Sequence, residues 1–149
     1  MNELQDLYRE VILDHNRQPR NFGEIEDADR IVEGVNPLCG DKMTLYVKLD
    51  GDKVSDIRFQ GTGCAISVAS SSLMTERVKG ATVEQSLRLF DRVHEMLTAP
   101  DSTEPPQELD KLAALSGVRE YPTRIKCASL AWHALKTALT ESAQEVSTE

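Results

Sequence analysis

Residues 43–60 read MTLYVKLDGDKVSDIRFQ, and this stretch decides the fold. Met43, Leu45, Val47 and Leu49 alternate with Thr44, Tyr46 and Lys48, the period of two expected of a strand with one buried face. Asp50-Gly51 is a hairpin signal, and Ile57 and Phe59 alternate with Arg58 and Gln60 on the return strand. Val54 is out of phase and is assigned to the turn end. Upstream, residues 31–36 form one more strand-like run. Three strands are expected here, joined by short turns.

Downstream of Gly61-Thr62-Gly63 the period becomes helical. Residues 65–78 are rich in Ala and Ser, and Gly80 is a plausible stop. Small side chains on a helix mean close packing against a neighbour, and no G-x-S-x-G elbow argues for serine chemistry. Val83, Leu87, Phe90, Val93 and Leu97 mark another helix, and residues 99–106 read as a loop. A short helix is expected over 109–116, and a mostly buried one over 123–140 with Trp132 at its centre. At the other end, Leu4, Leu7, Tyr8, Val11 and Ile12 predict an amphipathic helix over 2–16, stopped by Pro19 and Gly23. An acidic, solvated connection over 24–29 follows it. Strands followed by helices predict an α+β fold, a small antiparallel three-stranded sheet covered by helices. Residues 1–149 are expected to form a single domain, with 139–149 as a frayed tail.

Composition narrows the function. Seventeen basic against twenty-five acidic residues give a net charge of −8, a surface that repels phosphate backbones and argues against nucleic acid and anionic membranes. No apolar run approaches the roughly 20 residues of a membrane span. The acidic, amphipathic N-terminus does not read as a signal peptide. Three cysteines without an export signal point to a reducing, cytoplasmic setting.

Those cysteines sit at element junctions. Cys39 lies in the turn NPLCGD (36–41), Cys64 follows Gly61-Thr62-Gly63 at a helix start, and Cys127 lies near the first turn of the last helix. A single free cysteine is ordinarily a buried small hydrophobe. Three at junctions fit metal ligands or nucleophiles better, because free N–H groups at helix starts favour the thiolate. There is no C-x-x-C pair, so spacing alone is a moderate metal signal. Asp41 is the first candidate for a fourth ligand, since Gly40 leaves the backbone free to aim Cys39 and Asp41 inward. The alternative for Asp41 is an Asx-type turn. His15, His94 and His133 read as surface or hydrogen-bonded structural residues. Three thiolates and a carboxylate around a divalent cation leave net negative charge, and Arg124, three residues before Cys127 on the helix, is the cation expected nearest.

The segments NPLCGD, GTGCAISVASSSLMTE (61–76) and YPTRIKCASLAWHAL (121–135), with the opening LYREVILDHNRQPRN (7–21), together resemble the SufU/IscU-like (NifU N-terminal) iron–sulfur assembly family. The resemblance spans nearly the whole chain and implies an α+β fold with Cys39, Asp41, Cys64 and Cys127 gathered at one exposed end. IscU-type members carry histidine before the third cysteine, where this chain has Lys126. The stretch between Cys64 and Cys127 is also longer than in that branch. Both features resemble the SufU branch.

That resemblance implies a zinc-bound, sulfurtransferase-like protein that accepts persulfide sulfur from a SufS-type, pyridoxal-phosphate cysteine desulfurase. On docking, a group of the desulfurase would replace Cys39 on zinc. The freed thiolate, near Arg124, would then take the sulfur, so Cys39 and Arg124 are the expected catalytic residues. Downstream scaffold proteins would be further partners. The alternative is a scaffold that builds a [2Fe–2S] cluster on the same thiolates, which suit iron–sulfur clusters equally. A purely structural zinc site is the third possibility; a cysteine hydrolase lacks a placed histidine base.

Overall fold

The computed structural model describes residues 3–100, 103–140 and 145–147. Helix α1 (Glu3–Arg17) is followed by strands β1 (Arg30–Asn36), β2 (Asp41–Asp50) and β3 (Lys53–Thr62). Helices α2 (Ala65–Val78) and α3 (Val83–Thr98), a 3-10 segment (Gln107–Glu120), α4 (Pro122–Thr140) and strand β4 (Glu145–Ser147) complete the order. Strands β1, β2 and β3 form the expected antiparallel sheet, with β2 in the middle.

The alternation in β2 is a burial pattern: Met43, Leu45 and Val47 face the core while Lys42 is exposed. Val54 joins them, fully buried, and its phase has a physical reason. Lys48 pairs with Asp56 but Leu49 pairs with Val54, so Ser55 is an extra residue, a β-bulge that returns Val54 to the face of Ile57 and Phe59. Each of these side chains contributes roughly 1.5–3 kcal/mol through burial.

Helices α2 and α4 pack together and cover that face, and α1 packs against α2 and the 3-10 segment. The small residues of α2 bring it close to α4: Ser70 Oγ donates to the Ala128 carbonyl at 2.5 Å and accepts from Trp132 Nε1 at 3.1 Å. Gly34 lets α4 approach β1, since a Cβ there would lie 3.1 Å from Leu130 Cδ1.

Two expectations differ from the structure. The segment expected as a short helix is 3-10, interrupted at Asp110 (φ 50°). Leu109, Leu112, Leu115 and Val118 recur every third residue and are all buried, the stripe of a helix with three residues per turn. The frayed tail expected over 139–149 begins too early: Leu139 and Thr140 still belong to α4, and Glu145–Ser147 pair parallel with β1 through Glu33, Gly34 and Val35. Three residues show no period; the edge of β1 makes them a strand. Residues 141–144, 148 and 149, like Asp101 and Ser102 of the expected loop, lie outside the described residues. Among the described residues, no helix is long and apolar enough to cross a membrane.

Candidate metal centre

One end of the sheet collects the chemistry. Asn36 and Asp41 are the last paired residues of the β1–β2 hairpin, and residues 37–40 form its turn. The Cys39 N–H donates to the Asn36 carbonyl at 3.3 Å, and Gly40 takes φ +70°, the left-handed conformation that glycine adopts without strain. The turn therefore presents Cys39 to solvent while Asp41, two residues on, is wholly buried.

Strand β3 and α2 supply the next part. Cys64 is the N-cap of α2, where its sulfur accepts from the Ser67 N–H at 3.4 Å. Its own N–H donates to Asp41 Oδ1 at 2.9 Å. Gly63 makes that contact possible, because a Cβ at this position would lie 2.5 Å from Asp41 Oδ1.

Helix α4 brings Cys127, which is 1% exposed. Its thiol lies 3.3 Å from Cys39 Sγ and 3.5 Å from the Thr123 carbonyl, either of which can accept its proton. The Asn36 amide nitrogen spans the two buried groups, donating to Asp41 Oδ2 at 3.1 Å and to Cys127 Sγ at 3.4 Å. The donor atoms of Cys39, Asp41 and Cys127 all lie within 4.8 Å of one another. The sulfur of Cys64, which caps the first turn of α2, is not within that distance of all three, although it also lies against the Cys127 thiol.

Electrostatics suit a cation. Burial first, and then hydrogen bonding with Asp41, Cys39 and Cys64, pushes the Cys127 thiol far above its ordinary range. A bound metal would counter that shift by favouring the thiolate. Two thiols and a carboxylate, with a third thiol adjacent and N–H groups aimed at the oxygen and sulfur atoms, are a donor set that fits zinc. Soft sulfur ligands fit iron–sulfur clusters as well.

The other expected residues fall as follows. Arg124 is exposed, with its guanidinium 5.0 Å from the centroid of the Tyr121 ring rather than on a thiol. His15 is buried against α2, its Nδ1 2.7 Å from Ser72 Oγ, and is structural. His94 and His133 cluster with Phe90 at ring separations of 5.4–6.0 Å, and neither belongs to the Cys39, Asp41 and Cys127 group. Residue-type reasoning missed Asn36 and the spatial role of Gly63. Both signals were present: an asparagine opposite Asp41 at the hairpin's mouth, and a glycine directly before Cys64.

Residues 7–128 match the NifU-like N terminal domain family. The chain is 44% identical over 144 residues to the iron–sulfur cluster assembly scaffold protein IscU of Streptococcus pyogenes serotype M1, covering 96% of this chain and 89% of that one. It is also 44% identical over 133 residues to the zinc-dependent sulfurtransferase SufU of Bacillus subtilis strain 168, covering 89% of each. A crystal structure assigned as an iron–sulfur cluster assembly scaffold for the SUF system, from Fervidobacterium islandicum AW-1, superposes with a TM-score of 0.81 at 36% identity, covering 88% of this chain and 95% of that one.

Proposed function

This chain belongs to the NifU-like N-terminal domain family, and from that premise we propose that it is a zinc-dependent sulfur-transfer protein of iron–sulfur cluster assembly. In this role Cys39 accepts sulfane sulfur from a SufS-type cysteine desulfurase. One observation carries the proposal: the cysteine thiols have opposite surroundings. Cys127 is buried and held by the Asn36 amide, Cys64 is held by the Ser67 N–H, and Asp41 is held by two N–H donors. Among the described residues, no N–H donates to the sulfur of Cys39, which is exposed on a glycine turn.

Cys39, Asp41, Cys64 and Cys127 would hold the zinc, which when bound keeps the thiolates deprotonated at neutral pH. The Cys39 thiolate attacks the outer sulfur of the desulfurase persulfide, forming an S–S bond. The desulfurase cysteine leaves as a thiolate, and Cys39 keeps the persulfide. Arg124, on α4 one turn before Cys127, offers a guanidinium to balance that anion. Buried Asp41 and Cys127 keep the site's floor in place meanwhile.

The test is alanine formation from cysteine by a SufS-type desulfurase, with and without the zinc-loaded chain. The expected outcome is clear stimulation, absent with Cys39→Ala although that variant stays folded by circular dichroism. Full stimulation by Cys39→Ala overturns the proposal. The resemblance to IscU-named proteins supports a second function, assembly of a [2Fe–2S] cluster on the same side chains. A stable visible cluster spectrum after anaerobic loading with iron and sulfide, together with no stimulation by the zinc form, would establish that one.

A further inference from the structure

A single primary amide touches candidate ligands from two different elements. Asn36, wholly buried at the end of β1, directs Nδ2 at Asp41 Oδ2 (3.1 Å) on β2 and at Cys127 Sγ (3.4 Å) on α4. Its Oδ1 is buried with no hydrogen-bond partner. An unpaired buried acceptor is unfavourable, and turning the amide over would be worse: the oxygen would then face a carboxylate and a sulfur, both acceptors when ionised. The amide is therefore arranged for two anionic neighbours, at the expense of its own oxygen. Leucine of similar volume would fill the space without donating, and aspartate of the same shape would present only acceptors.

We infer that Asn36 is a positioning residue that locks Asp41 and Cys127 together as the permanent half of the metal site, leaving Cys39 as the exchangeable member. This rests on the assignment of these residues as metal ligands. Partners that orient ligands from outside the coordination sphere are worth about 10- to 100-fold in metal affinity. The amide also ties the β1–β2 hairpin to α4 at the one place where both carry ligands, so its loss should loosen Cys127 while Cys39, which it does not touch, keeps its reactivity.

The experiment uses the full chain and the variants Asn36→Leu and Asn36→Asp, at a temperature where circular dichroism shows all three folded. Zinc affinity is measured by competition with a chromophoric chelator. Cobalt(II) absorption reports thiolate ligation, and iodoacetamide labelling of the zinc-loaded proteins, mapped by mass spectrometry, reports which cysteines exchange. The wild type should label at Cys39 and spare Cys127. Both variants should lose about 10- to 100-fold in affinity, Asp more than Leu, and both should label at Cys127 as well. Unfolding of one variant leaves the other to decide. Wild-type affinity and labelling in a folded variant would overturn the inference while leaving the metal site intact. A wild type without cobalt–thiolate absorption would overturn the metal assignment, and the inference with it.

Discussion

Cys39 and Cys127 carry the same thiol, 3.3 Å apart, on backbones of opposite kind. Cys127 stands on α4, which is fixed against α2 by the Ser70 bridge to Ala128 and Trp132 one residue and five residues further on. Cys39 stands on a four-residue turn whose Gly40 is left-handed and whose Leu38 is 61% exposed. The contrast would separate two duties that the proposed metal site has to combine. A ligand on a packed helix preserves the geometry, while a ligand on a solvated turn can leave it. Reactivity here is a property of the supporting backbone as much as of the sulfur.

The comparison breaks most directly at the sulfurs themselves. Cys127→Ala should abolish tight zinc binding, so that added zinc no longer raises Tm. Cys39→Ala should keep a reduced but measurable rise, since the buried pair survives. Equal losses in the two variants would show that the two thiols do not differ in duty.

A smaller effect sharpens the buried half. In Gly63→Ala the new Cβ meets Asp41 Oδ1 at 2.5 Å, so the carboxylate or the β3–α2 junction must shift. Denaturant unfolding should show a loss of about 1–3 kcal/mol. Zinc affinity should fall with it, while alkylation of Cys39 without zinc should keep its wild-type rate.

The smallest effect lies away from both thiols and serves as their control. His15 on α1 is buried against Ser72, and burial first, then the Arg20 guanidinium, holds its imidazole below the ordinary value of 6.5. Glu76 and Asp14 pull the other way, and Lys111 adds to the depression. The unfolded chain thus takes up this proton at higher pH than the folded one. The stability contributed by neutral His15 is complete above about 6.5 and is lost as pH falls through the folded value. Tm should decline between pH 7 and 5 in the wild type and less steeply in His15→Gln. Identical slopes would remove His15 from the seat of α1.

Much of this was legible in sequence because periodicity reports burial. The β2 alternation, the Asp50-Gly51 hairpin and the helical stripes all follow from which faces are apolar. The bulge at Ser55 was not legible as such, although Val54 out of phase was its trace. Strand β4 depends on a partner edge far away in the chain, which no local pattern encodes. At the site, Cys39, Asp41 and Cys127 converge as residue type and junction placement suggested. The sulfur of Cys64 lies outside their group, held by a capping bond that any N-cap thiol can make. Arg124 rests on Tyr121, a contact that helical spacing from Cys127 could not reveal. Asn36 was hidden because a buried amide is chosen for what stands opposite it, and that is known only in three dimensions.

The closed rung between Asn36 and Asp41 also sets a radius. Cys39 is two positions from Asp41, and a chain advances at most about 3.3–3.6 Å per residue, so Cys39 can travel no more than roughly 7 Å from that hinge. Such a tether is too short to ferry cargo between distant surfaces. On the proposed function, any donor or recipient of sulfur would come to it, and the meeting place would be this end of the sheet.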